Sequence, residues 1–135
     1  MQTSEVLNRA ADLIETHGWV RGADGWAHAP EHVGSLCLEG GIDAAMGGIY
    51  DRTVGEFVNC PAYRAVAAYL TAPEGADYME SYIDTYLEVQ IPTMRLWRWN
   101  DAYPKDASEV IEVLRAAAVI EAVRETEAAE TLVAA

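Results

Sequence analysis

Leu96-Trp97-Arg98-Trp99-Asn100-Asp101 sets two of the chain's four tryptophans two residues apart and runs them into an Asn-Asp pair. Pro92 breaks or kinks any helix arriving at Ile91, so Thr93 to Asn100 is expected to form a helical turn or two that delivers the indoles. Asn and Asp then stand where that helix stops and the chain turns through Ala102-Tyr103-Pro104. On this basis Asn100 takes a left-handed position or bonds the loop backbone, while Trp97 or Trp99 locks the turn onto the core. The same residues have a functional alternative, in which Trp99, Asn100 and Asp101 line a shallow pocket for a small polar ligand.

Downstream of the turn, Asp106 with Glu109 three residues later resembles a capping box, with Asp in the role usually taken by Ser or Thr. Val110, Ile111, Leu114, Ala117 and Ala118 give the helix that follows an inward face. Val113, Val119, Ile120 and Val123 spread apolar surface around the rest of its circumference. A helix apolar on more than one side is central to its bundle or shared with a second copy, so a homodimer through this last helix is one expectation. From about Glu127 the tail thins into Ala and Glu and is expected to fray.

Upstream, Val6, Leu7, Ala10, Leu13 and Ile14 recur at helical spacing, with Asn8, Asp12 and Glu15 on the other side. Thr3 or Ser4 is the expected cap, and Gly18 the stop, at a left-handed position. His17 falls beside the apolar stripe and is expected to be partly buried. Trp19-Val20-Arg21 and Trp26-Ala27-His28, separated by Gly22-Ala23-Asp24-Gly25, fit a short β-hairpin. His28 and His32 have a metal-like spacing, but Pro30 between them argues against one helix, and no metal is assigned. A second helix is expected from Ser35 to about Met46. Gly40 and Gly41 each cost it about 1 kcal/mol relative to Ala, which close approach of another helix or an indole would explain. Pro61 opens a third helix ending near Leu70. After the break at 71–76, Asp77 caps a fourth helix with Tyr78, Tyr82 and Tyr86 at four-residue spacing. Glu80, Asp84 and Glu88 oppose them with no basic residue interleaved. Like charges four apart oppose helix formation, so that stripe is either solvated or kept to meet something positive.

These elements predict an all-α fold, about five helices in one compact bundle spanning 1–135 as a single domain. With a single phenylalanine, Phe57, the core must come from Leu, Ile, Val, Met, Trp and Tyr packed through abundant small residues. No stretch approaches the apolar length of a membrane span and the N-terminus has no signal-peptide pattern, so a cytoplasmic location is expected. Cys37 and Cys60 match no zinc or redox spacing and read as reduced thiols. The excess of 22 acidic over 9 basic residues disfavours direct binding to nucleic-acid phosphates and favours a basic protein partner or, less readily, imitation of DNA. Catalytic signatures are missing: the Gly pairs at 40–41 and 47–48 lack the Lys-Ser/Thr of a phosphate loop, and nothing in the spacing brings Cys37 to a histidine. No catalytic residue and no cofactor is assigned.

Three landmarks occur in order: Gly18-Trp19 after the first helix, Cys37-Leu38-Glu39-Gly40-Gly41-Ile42-Asp43-Ala44-Ala45, and Trp99-Asn100-Asp101 followed by the helix from Asp106 to Ala118. Together they resemble an uncharacterised group of small helical proteins from actinobacteria and their bacteriophages, although 48–95 carries little of the pattern. The resemblance implies origin and a helical fold, with the host cytoplasm as location if phage-encoded, and transfers no catalytic residue. The function expected is therefore a non-enzymatic interaction protein. Tyr78, Glu80, Tyr82, Asp84 and Glu88, or the apolar remainder of the last helix, are the expected contacts for a protein partner.

Overall fold

The computed structural model describes residues 1–21, 35–47, 60–70 and 92–134. Five helices stand among them: α1 Thr3–His17, α2 Leu38–Ala45, α3 Pro61–Leu70, α4 Pro92–Ala102 and α5 Ala107–Ala134. The fold is an all-α bundle, as the hydrophobic periodicity requires. The expected Tyr-rich helix after Asp77, the segment 49–59, and the second arm of the hairpin at Trp26-Ala27-His28 lie outside the described residues.

Helix α1 buries Val6, Leu7, Ala10 and Ile14 as their spacing predicts, with Ala11 buried beside them and Leu13, expected in the stripe, half-buried at its edge. It runs antiparallel to α5, since Ser4 meets Glu125 whereas Asp12 and Glu15 meet Arg115. Its start corrects the expected cap. Gln2 is the N-cap and makes no side-chain capping bond. Ser4, buried inside the first turn, instead donates its amide (3.0 Å) and its hydroxyl (2.5 Å) to the Glu125 carboxylate. An acid from the far end of the chain thus takes the place of a local cap and meets the positive end of the helix dipole. Gly18 ends the helix as expected, its amide bonded to the Ile14 carbonyl, but at φ 94° and ψ 165°, which is extended in ψ rather than left-handed helical. Such a conformation is nearly confined to glycine. His17 is exposed, not partly buried, because the chain leaves the helix there.

Beyond Gly18 the backbone pairs in parallel with Leu36: the Leu36 amide donates to the Gly18 carbonyl (2.8 Å) and the Val20 amide to the Leu36 carbonyl (3.1 Å). This bridge holds Leu36 extended, so α2 begins at Leu38 rather than Ser35. Cys37 becomes its cap, with Sγ accepting from the Gly40 amide at 3.3 Å. All eight residues of α2 are buried. The glycine expectation is met at Gly41, where an added Cβ would lie 2.8 Å from Ile14 Cδ1. The missing side chain is what lets α1 approach.

Helix α3 opens on Pro61, whose absent N–H is one the first turn leaves unbonded in any case. It packs mainly on α4 and α5 and buries Tyr63, Val66 and Leu70. Helix α4 is longer than expected and continues through Asn100 and Asp101 to Ala102, so the turn begins only at Tyr103. No non-glycine residue among those described has positive φ, which removes the left-handed assignment for Asn100. Asp106 caps α5 by accepting from the Ser108 and Glu109 amides, while Glu109 returns to the Lys105 amide at 2.9 Å. The capping box is therefore present, displaced by one residue on its return arm. Where fraying was expected from about 127, α5 stays helical to Ala134 with its side chains exposed. At 1.5 Å per residue, its 28 residues outrun the 15 of α1.

Candidate functional site at the Asn100 crossing

Asn100 sits in the last turn of α4 at 1 % exposure, and its side chain joins three segments that are far apart in sequence. Its Oδ1 accepts from the Trp19 indole Nε1 at 2.6 Å and from the Leu38 amide at 3.0 Å. Its Nδ2 donates over longer distances, to the Val20 carbonyl at 3.3 Å and to Asp101 Oδ1 at 3.4 Å. A side-chain amide has two acceptor positions and two N–H donors, and all four are used here. The Leu38 amide is one of the donors that the first turn of α2 cannot bond internally. Asn100 is thus the second cap of α2, beside Cys37.

Arg21 reinforces the crossing from outside. Its guanidinium donates to the Asp101 carbonyl at 2.7 Å and to the Pro104 carbonyl, and lies over the Trp19 ring at 5.1 Å from the centroid. The Asp101 carbonyl belongs to the open C-terminal end of α4, where a cation is favoured. Trp19 and Arg21, two apart in an extended stretch, point to the same side and serve the same corner.

Of the three residues expected to line a pocket, Trp99 and Asn100 are buried, Asp101 is half-buried, and Trp99 belongs to the main core. Among the described residues, one groove of about 340 Å3 runs between α3 and α5, lined by residues that include Arg64, Ala65 and Arg124. Another of about 480 Å3 lies between the end of α1 and the start of α5, beside Gly18 and Ile111. Neither is lined by Trp99, Asn100 or Asp101. The crossing as built is a stitch between helices: it fixes where α2 and α4 meet and uses the four bonding positions of the Asn100 amide within the chain. Sequence reasoning found Asn100 but missed its partners Trp19, Arg21 and the Leu38 amide. The alternation Trp19-Val20-Arg21 was the available signal.

A second set of chemical groups surrounds α2. Glu39 and Asp43, one turn apart, are both buried, and the Tyr63 hydroxyl donates to Asp43. Burial pushes the Cys37 thiol up to about 12, with Glu39 and Asp43 adding to the rise against the Gly40 amide. A thiol so placed stays protonated near neutral pH and is a poor nucleophile. No group of three or more His, Cys, Asp or Glu that could hold a metal occurs among the described residues. His28, His32 and the candidate partner contacts Tyr78, Glu80, Tyr82, Asp84 and Glu88 lie outside them.

The outer side of α5 contrasts with both regions. Val119, Ile120 and Val123 are exposed there, as are Leu132 and Val133 beyond the start of α1. Even so, no helix among the described residues is long and apolar enough to cross a membrane. Neither the curated proteins nor the solved structures contain a match to the chain. A family model does match, over residues 1–120, so that both the Asn100 crossing and α2 fall inside it, and the chain belongs to a family of unknown function, DUF6197.

Proposed function

We propose that this chain is a non-enzymatic interaction protein that binds a basic protein partner in the cytoplasm. Its origin would be phage or actinobacterial, as the sequence resemblance implies. The observation that carries the proposal is the charge of -13, from 22 acidic against 9 basic residues. The excess is not relieved by the arginines at the surface, two of which are held within the chain: Arg115 by Asp12 (2.7 Å) and Glu15 (3.4 Å), and Arg124 by Glu121 (2.8 Å). Such a surface attracts a cationic partner over distances of about a Debye length, roughly 8 Å at physiological salt. Asn100, whose bonding capacity is used internally, supports a structural rather than catalytic part for the most conspicuous polar residue in the sequence.

Tyr78, Glu80, Tyr82, Asp84 and Glu88 are the sequence's candidates for contact with that partner, since aromatic groups beside acids with no basic residue interleaved along the sequence suit a cationic, partly apolar surface. The test is capture from host lysate on the immobilised full chain, compared with the triple variant E80K/D84K/E88K. A basic protein retained by the native chain, eluted by raised salt and lost on charge reversal is the expected result. Recovery of no protein, or equal recovery by the variant, overturns the assignment to these acids.

A further inference from the structure

We infer that the outer face of α5 is a docking surface for a basic amphipathic helix of a partner protein. The inference rests on the interaction reading above and adds to it a surface and the form of the ligand. At 3.6 residues per turn, Glu112, Ala116, Val119, Ile120, Val123, Glu127 and Glu130 share one side of α5, within roughly 100° of arc. Val110, Leu114 and Ala117 occupy the opposite side and are buried in the core. Val119, Ile120 and Val123 are 65 %, 41 % and 52 % exposed. With Ala116 they form an apolar island about two turns long, with Glu112 exposed at one end and Glu127 and Glu130 exposed at the other.

The order of charges along this face selects the occupant. Glu112 and Glu127 are symmetric about the bond between Val119 and Ile120. An antiparallel second copy centred on the island therefore sets Glu112 against Glu127 at both ends, and a parallel copy sets each acid against itself. Either arrangement places like charges together at the edges of a small apolar contact, where no cation of α5 is available to relieve them. Arg115 and Arg124 are turned toward Asp12, Glu15 and Glu121. A partner helix with an apolar seam of two heptads and Lys or Arg at either end, about 22 Å apart at 1.5 Å per residue, meets the same face with every charge opposed. An island this short buries less than the roughly 1,200 Å2 of a stable interface, so the complex is weak, micromolar and sensitive to salt.

The test uses the full chain and fluorescein-labelled synthetic peptides of about six turns: a basic amphipathic helix of this design, the same composition in scrambled order, and the first peptide with its Lys residues changed to Glu. Fluorescence anisotropy should give micromolar binding of the first and at least tenfold weaker binding of the other two. I120S/V123S and E112K/E127K/E130K, all at exposed positions, should each weaken binding tenfold or more while helical circular dichroism is unchanged. Equal binding of the scrambled peptide, or native affinity in I120S/V123S, removes this face from the interaction and leaves the basic-partner reading standing. Failure of the designed peptide to bind overturns this inference, while the interaction reading stands or falls on the lysate capture. A dimer in concentration-dependent light scattering that I120S disperses makes a second copy the occupant and overturns the inference.

Discussion

The Asn100 crossing and the outer face of α5 both attract attention in the sequence, and they use their side chains in opposite ways. At the crossing, polar groups are buried and matched: four hydrogen bonds converge on one amide at 1 % exposure. On α5, apolar groups are exposed and unmatched. One helix even shows the contrast in a single residue type, with Leu114 at 0 % and Leu132 at 79 % exposure. Burying a leucine stabilises a fold by about 1.5–3 kcal/mol, so the second leucine contributes little to this one. A residue's type announces that it matters, whereas only its surroundings decide whether it matters to folding or to recognition. The contrast can be broken by showing that the interior tolerates change or that the exterior does not.

The sharpest attempt to break it is Asn100→Ala. Removing the side-chain amide leaves the buried Leu38 amide and the half-buried Trp19 indole without their acceptor, at about 1–3 kcal/mol each. A loss of about 3–5 kcal/mol in urea unfolding is expected, a large fraction of the roughly 5–15 kcal/mol that holds an ordinary domain folded. A loss under about 1 kcal/mol would mean that water or a neighbour replaces the amide, and the crossing would no longer count as structural.

Next in size is the contact of α1 with α2. In Gly41→Ala the new methyl would lie 2.8 Å from Ile14 Cδ1 and 3.1 Å from its Cγ1, and Ile14 is fully buried. Overpacking costs about 1–3 kcal/mol, against about 1 kcal/mol gained from helix propensity. A net loss of about 1–2 kcal/mol is therefore expected. Ile14→Val removes the clashing Cδ1, so the double variant should be more stable than the sum of the two losses predicts. Additive behaviour would show that the close approach lies elsewhere.

Cys37 adds a pH dependence confined to the interior. Its thiol is raised by burial from 9.0 to about 12, so above pH 9 the unfolded chain releases a proton that the folded chain retains. Its stabilising contribution is complete below about pH 9 and is lost as pH rises toward 12, at up to about 1.4 kcal/mol per unit. Cys37→Ser keeps an oxygen that can accept from the Gly40 amide but has no titration in this range. Urea midpoints from pH 8 to 10.5 should therefore fall more steeply for the native chain than for the variant. Parallel curves would show the thiol to be open to solvent.

Most of the bundle was legible in the sequence because its punctuation is local. Pro61, Pro92, Gly18 and Asp106 each act on their own or the next turn of backbone, and each marks an observed helix end. What escaped depends on distant partners. Ser4 is chemically a good cap, yet its hydroxyl goes to Glu125, 121 residues away. Asn100 has the composition of a turn residue, but the acceptor it provides is claimed by Trp19, 81 residues away, and by Leu38, 62 away, so α4 carries it within the helix instead. Local pattern fixes what a polar side chain can bond, and the packing of helices fixes what it does bond.

The smallest effect on folding is expected on the outer face of α5, and its smallness is informative. Val119, Ile120 and Val123 are exposed, so changing each to Ser removes little buried apolar area and should move stability by no more than about 0.5 kcal/mol per site. The same chemical change at Leu114, fully buried on the same helix, should cost several times more. If the exposed positions instead prove as sensitive as Leu114, something in the isolated chain already covers them, and the face belongs to the core rather than to a partner. If they are neutral to folding and yet required for peptide binding, the apolar side chains on that face are kept for recognition. Urea unfolding of the serine variants, set beside their peptide affinities, separates the two cases because a core residue moves both readouts and a docking residue moves only one.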